Sequence, residues 1–226
     1  MDDLWKEIGK ILGLLLAGVF LLYAERARQR LTEWWHNRGL HPVARAVLTC
    51  RAVTELLVEL RVTLKAVRCY VVQFHNGQVF TSQHPVYRMS CTQETCAGGF
   101  VRIQGEMQNI LVEQVWEEIG PLFGQVELTG VTRGYCEKKP DKPPFRATYC
   151  YLTPQLPEGW FKSSLIQRGT DALMVSPILD ARQVVVGFVA AEFNGGDAVP
   201  IPDGQRVTHA AANIWYELER HARGRR

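Results

Sequence analysis

Cys91 and Cys96, separated by four residues and with His84 upstream, come closest in this chain to a ligand or redox cluster. A zinc site needs four donors in a tetrahedron, and no second Cys/His pair stands at a suitable spacing to complete one. As redox groups, thiols react as thiolates and need exposure together with a neighbouring charge. Neither is legible here, so ordinary buried thiols are expected. The other cysteines, Cys50, Cys69, Cys136 and Cys150, make no regular framework, which fits reduced thiols in a cytosolic domain. Whether Cys136 and Cys150 approach each other depends on topology. His75-Asn76-Gly77 has two readings. Either an imidazole and a carboxamide at a strand end face a ligand, or Asn-Gly serves only a tight turn. Glu94, Glu106, Glu113, Glu117 and Glu118 form no recognisable acid/base pair and are expected mostly as solvated helix charges. No Walker-type glycine loop, GxSxG elbow, HExxH or EF-hand loop occurs. Gly98-Gly99 and Gly195-Gly196 are too short to cradle phosphate and read as flexible joints.

The elements that would position these groups are clearest between Thr170 and Asn194. Two apolar runs, Ala172–Leu179 and Val184–Phe193, flank the polar quartet Asp180-Ala181-Arg182-Gln183, the pattern of a β-hairpin. Pro177 predicts a bulge or an early end in the first strand, because proline donates no ladder hydrogen bond. Gly187 predicts a bulge or close packing against a neighbour. Ile201–Arg220 reads as a helix with Asp203 as cap and Val207, Ala211, Ile214 and Leu218 as its apolar stripe.

Upstream, Pro42–Lys65 has apolar residues at helical spacing (Val43, Val47, Val53, Leu56, Leu57, Leu60, Leu64). Val67–Phe74 predicts a strand that turns at residues 75–77 and returns over Gln78–Thr81. Pro85–Cys96 has extended character. Glu106–Phe123 predicts a helix with Ile110, Leu111, Val115, Trp116 and Ile119 on one face. Val126–Arg133 and Ala147–Leu152 predict strands, Cys136–Phe145 a charged, proline-rich loop, and Trp160–Arg168 a helix stopped by Gly169. The class is α+β, an antiparallel β-sheet with flanking helices.

The 226 residues carry a formal net charge of +3, and much of the positive charge sits in arginines near the two ends. A nucleic-acid binder would concentrate a basic face with interleaved aromatics, so no specific nucleic-acid partner is expected. A hydrophobic share of 46% allows a packed core and excludes wholesale disorder. Ile11–Ala24 has no charge, and extending it back to Leu4 approaches the roughly 20 residues a bilayer core requires. Lys6 and Lys10 can snorkel, and Trp5 and Tyr23 lie where interfacial aromatics belong. Asp2 and Asp3 spoil the basic start of a cleaved signal peptide. Arg26, Arg28, Arg30 and Arg38 place the following flank in the cytoplasm. Residues 1–40 are therefore expected as a long N-terminal apolar helix, transmembrane or membrane-associated through residues 4–24, with a basic juxtamembrane segment. A single pass through the inner or plasma membrane, N-terminus out, would leave 42–226 as a cytoplasmic domain.

The hairpin with Pro177 and Gly187, followed directly by an amphipathic helix, resembles the closing half of a GAF domain. The segment Arg68-Cys-Tyr-Val-Val-Gln-Phe-His-Asn-Gly77 resembles the first strand and turn of a GAF-like subgroup carrying Phe-His-Asn-Gly there. The likeness runs over about Pro42–Arg220 and belongs to the GAF/PAS-type sensory superfamily, ligand-sensing and interaction modules built on an antiparallel sheet. It implies that both terminal helices pack together on one sheet face, and that a ligand pocket lies between the sheet and the middle segment, here roughly Pro85–Phe100 and Arg133–Lys162. The ligand-binding residues it implies are His75, Asn76, Tyr87, Cys91, Cys96, Tyr149 and Trp160. The chain departs from the family's cyclic-nucleotide motif and lacks the cysteine context of its bilin-binding members, so the cofactor stays unknown. The free methionine sulfoxide reductases of this superfamily use middle-region cysteines, which these thiols do not match one by one.

The expectation is a membrane-tethered GAF-like module that binds a small ligand or a protein partner, without catalysis, as a homodimer through its terminal helices. One alternative is a structural or assembly protein of a viral or membrane complex, with Gly9, Gly13 and Gly18 permitting close helix approach. A second is a thiol redox enzyme.

Overall fold

The computed structural model describes residues 24, 28, 42–79, 85–123, 131–136, 147–195 and 203–222. Residues 4–23 of the expected apolar helix lie outside these, as do residues 137–145 of the expected proline-rich loop. Among the described residues no helix is long and apolar enough to cross a membrane. The chain divides into two units, Leu48–Glu219 and Met1–Val47 with Arg220–Arg226. The first holds the whole sheet. In the second, the described residues are mainly the outer ends of two long helices.

Seven strands are described: β1 Arg68–Val79, β2 Pro85–Cys96, β3 Ile110–Leu111, β4 Val131–Cys136, β5 Ala147–Leu152, β6 Ala172–Leu179 and β7 Val185–Phe193. They form one sheet in the order β3-β2-β1-β7-β6-β5-β4, with every neighbouring pair antiparallel. The described helices are α1 Pro42–Leu64, α2 Trp116–Ile119, α3 Trp160–Gln167 and α4 Gly204–Ala222. Alternation along each strand sorts the side chains into two layers. On one face Cys69, Val71, Cys150, Met174, Ile178, Val189 and Ala191 pack against Val53, Leu57, Leu60 and Leu64 of α1 and Val207, Ala211 and Ile214 of α4. Both long helices therefore share one side, as the resemblance implied. Buried hydroxyls fix the start of α4: Thr148 Oγ1 donates to Gly204 O at 2.6 Å and lies 3.0 Å from Thr208 Oγ1.

The β6–β7 hairpin forms where the residue pattern puts it. Asp180 Oδ1 accepts the backbone N–H groups of Arg182 and Val184, both at 2.8 Å, and Gln183 takes a left-handed φ of 63° to close the turn. Pro177 lies beyond Val175, the last β6 residue paired with β5, and the register with β7 shifts between Ile178 and Leu179. Gly187 is required by crowding: a Cβ there would collide with the Val72 carbonyl oxygen and stand 3.1 Å from Gln73 Cα.

Two local readings are corrected. His75-Asn76-Gly77 does not reverse the chain, since β1 continues to Val79 with His75 opposite Arg88 and Asn76 opposite Tyr87. Backbone pairing with β2 outweighs the local turn preference, and the positive-φ tolerance of Asn-Gly falls at an irregularity between Asn76 and Val79. Glu106–Phe123 is not one helix. Ile110 and Leu111 pair with Met89 and Arg88 at the sheet edge, and short helical turns follow, ending in Gly120–Phe123 with Pro121. Edge pairing satisfies the backbone groups a helix would otherwise use, while Ile110, Val115 and Ile119 are still buried.

Candidate functional site

The sheet face opposite α1 and α4 is covered by the segment Ala97–Phe123 and by α3. Its middle is apolar: Tyr70, Val72, Met89 and Cys91 meet Ile103, Met107, Val115, Ile119, Tyr149, Tyr151, Phe161 and Leu165. The two ends differ in chemistry.

At one end lie four charged side chains from four elements. Arg68 begins β1, Glu94 is near the end of β2, Glu192 lies in β7 and Arg168 follows α3. The side chains of Arg68, Glu94 and Glu192 are 1%, 0% and 0% exposed, and Arg168 is 9% exposed. Burial of this depth demands pairing, because each charge loses its hydration. Arg68 binds Glu192 through Nη1, and its Nε stands 3.0 Å from Glu94 Oε1, near enough for attraction though off a hydrogen-bond angle. Its Nη2 donates to Val101 O at 2.6 Å. Glu192 also accepts Thr170 Oγ1 at 2.8 Å and lies 3.4 Å from Arg168 Nη2. Glu94 accepts backbone N–H groups from Ile103 at 3.0 Å and Gln104 at 2.9 Å. Two arginines and two glutamates leave the group formally neutral.

At the other end is an aromatic group. Phe74 of β1 lies 5.7 Å from Phe123 and 6.1 Å from Phe188 between ring centroids, and Trp116 of α2 stacks on Phe123 at 5.8 Å. Trp116 is 41% exposed, so this end is partly open. Tyr151 between the two ends donates its hydroxyl to Glu118 O at 2.8 Å.

The residues expected to bind a ligand separate onto different surfaces. Cys91 and Tyr149 are buried together on the covered face. Cys96, half-buried, shares that face at the charged end, opposite Arg68 in the ladder. Asn76 and Tyr87 form an exposed cross-strand pair, and Trp160 opens α3 on the surface at 48% exposure. His75 belongs to the helix-bearing face by alternation with Val71. Its Nε2 lies within hydrogen-bond distance of Ser90 Oγ at 2.9 Å, and the same hydroxyl oxygen accepts the Asn109 N–H at 2.9 Å. Glu94, expected among solvated charges, is the least exposed of its group, whereas Glu106, Glu113 and Glu117 are exposed as anticipated. Arg68, Arg168 and Glu192 carried no expectation. A Glu inside the apolar run Val185–Phe193 was the available signal for the last of them.

The three buried thiols Cys69, Cys91 and Cys150 are held protonated, which disfavours them as redox nucleophiles. Burial first, and then the nearby Glu94 and Glu192 charges, push the Cys91 thiol up to about 12. Burial raises Cys150 to about 11 and Cys69 higher still. Cys91 and Cys150 lie on opposite sheet faces. In the β4–β5 ladder the Cys136 backbone pairs with Ala147, whereas Cys150 pairs with Thr132. Burial also raises the Tyr70 and Tyr151 phenols, keeping both neutral.

No protein-family profile and no curated protein sequence matches the chain. Its fold is nevertheless shared with solved structures. A cyanobacteriochrome receptor PixJ structure covers 78% of this chain and 98% of its own, with 14% identity and a TM-score of 0.51. A phycoerythrobilin-bound GAF domain from a cyanobacterial phytochrome covers 83% and 100%, with 8% identity and the same TM-score of 0.51. At such identities the likeness speaks for architecture alone. The antiparallel sheet with its flanking helices has the GAF-like fold.

Proposed function

We propose that this chain is a membrane-tethered sensory module that takes a small, planar apolar molecule against the covered sheet face and acts by binding, not by catalysis. The observation that carries the reading is the partly open aromatic end formed by Phe74, Trp116, Phe123 and Phe188. Offset rings offer dispersion and quadrupole contacts to a flat ligand. The phytochrome domain of the same fold holds its bilin, so the architecture accommodates a conjugated guest. The raised thiols speak against the redox-enzyme alternative. The tether rests on the uncharged run Ile11–Ala24 and its arginine flank.

The test uses the full-length chain purified in detergent. Native mass spectrometry should find a co-purified small molecule, or titration with planar apolar compounds should quench tryptophan fluorescence. Trp116→Ala should weaken binding about tenfold, the loss of one well-packed aromatic contact. A ligand held equally well by Trp116→Ala would place binding elsewhere, and binding of none of these compounds would favour a protein partner.

One observation favours dimerisation as a second property. α1 exposes Val58 at 39% and Val62 at 61%, one turn apart, and α4 exposes Tyr216 at 55%. Apolar residues repeated along the outer side of the helical layer suit a second copy. Val62→Glu should shift the full-length protein toward monomer in light scattering. A defined large oligomer would instead support the assembly alternative.

A further inference from the structure

Ala97–Asn109 is an irregular strap laid along β2, and its fastenings are unusually polar. The Ile103 and Gln104 N–H groups end on the buried Glu94 carboxylate. Val101 O accepts Arg68 Nη2. Gln104 Nε2 donates to Thr92 O at 2.8 Å, Gln108 Nε2 to Cys91 O at 2.7 Å, and Cys91 N to Met107 O at 2.7 Å. At its far end Asn109 N donates to Ser90 Oγ, and Arg88 Nη1 donates to Asn109 O at 2.7 Å. Both ends carry left-handed residues, Gly99 at φ 88° and Asn109 at φ 57°, and Cβ atoms built at Gly98 and Gly99 meet nothing within 4 Å. Beneath the strap, Ile103 and Met107 are buried against Cys91.

Besides its hydrogen bonds to β2, the strap is tied to β1 and β7 through one charged group. Glu94 grips Ile103 and Gln104, Arg68 connects Glu94 to Glu192, and Arg168 runs from Glu192 to Met107 Sδ at 3.5 Å. An apolar cover would need no such link. A buried ionic network has two well-separated arrangements, fully paired or broken, because a half-satisfied one leaves a bare charge in low dielectric.

We infer that the Arg68–Glu94–Glu192–Arg168 network is a latch holding the strap over the sheet face, and that its release uncovers the apolar middle of that face around Cys91 to a ligand. The inference rests on that face being the ligand surface, but its test does not. Cys91 is 1% exposed under the strap, while Cys69 is 0% exposed under the helices on the opposite face. Iodoacetamide labelling of the two thiols therefore separates strap opening from global unfolding.

The experiment takes the full-length chain carrying Cys96→Ser, so that Cys91 is the only thiol in its tryptic peptide, and compares it with the same chain carrying Glu94→Gln. Glutamine keeps the shape, loses the charge facing Arg68 and turns an NH2 group toward donors that need an acceptor. Cys91 should label about tenfold faster or more in Glu94→Gln, with Cys69 unchanged. Unchanged labelling of Cys91, or Cys91 and Cys69 rising together, would overturn the latch. If Glu94→Gln does not fold, the chain with Glu94 intact decides under increasing, sub-denaturing urea. Cys91 becoming reactive before Cys69 supports the latch, and simultaneous labelling refutes it. Ligand titration monitored through Trp116 tests the binding surface separately, so failure of one claim leaves the other readable.

Discussion

Arg68 has more to lose than any other single side chain described here, since its guanidinium meets Glu94, Glu192 and the Val101 carbonyl at 1% exposure. The attraction within such a group largely offsets the cost of dehydrating it, so the intact network contributes little net stability. Removing one member is different. Arg68→Met leaves two carboxylates buried without their shared cation, and should cost about 3–5 kcal/mol. Urea unfolding would show this as a lower midpoint at unchanged slope, and a shift below about 1 kcal/mol would mean that water reaches the site. The thiols add a pH dependence of defined sign. Cys91 and Cys150 titrate near 12 and 11 when folded, against 9.0 for an ordinary thiol. The folded state therefore holds protons that the unfolded state releases above pH 9, and stability falls as pH rises from there toward 12. Melting temperature should decline over that window, and Cys91→Ala with Cys150→Ala should flatten part of the decline. A double variant whose alkaline decline matches the parent would assign it to other groups.

Among the elements, the β1–β7 contact is the least forgiving. Because a Cβ at Gly187 would run into the Val72 carbonyl, Gly187→Ala must push two paired strands apart. Overpacking of this kind costs about 1–3 kcal/mol, and a backbone obstacle places it at the upper end. Hydrogen exchange should rise along β1 and β7, and unaltered protection there would show that the strands slide to make room. This glycine, the hairpin and both long helices were legible because local pattern and tertiary role agree: alternation or helical spacing places the same residues in the core. The charged group was illegible for a geometric reason. β2 bulges at Thr92, so that Val71 pairs with Gln93 but Val72 with Cys91. Cys91 and Glu94, three residues apart, thereby share a face that strict alternation denies them. Asn76-Gly77 misled in the opposite way, since its turn propensity is real but the ladder to β2 claims it. In Glu106–Phe123 the helical spacing of Ile110, Val115 and Ile119 produced burial without a continuous helix, because β3 takes the first of these residues into the sheet.

For the molecule as a whole, the question is what the helical layer and the N-terminal segment do together. α1 and α4 occupy one face of the sheet, so a ligand on the other face must act through the sheet, and Val71 and Val72 show how short that route is. These neighbours in β1 point into opposite layers, one under α1 and one toward the proposed ligand surface. The proposed tether is the uncharged run from Ile11 to Ala24. Two physical causes could hold the chain at a membrane: the arginine flank on anionic headgroups, or the apolar run within the hydrocarbon. Salt distinguishes them, because at about 1 M the screening length falls to roughly 3 Å and surface attraction is lost. Full-length protein should stay with lipid vesicles through a wash of that strength. Leu14→Arg with Leu16→Arg should release it, since each charge costs about 2.5–3.5 kcal/mol at the centre of a spanning helix. Release of the unaltered chain by salt would reduce the tether to electrostatic adhesion, and full-length protein that stays in solution without detergent would remove it altogether.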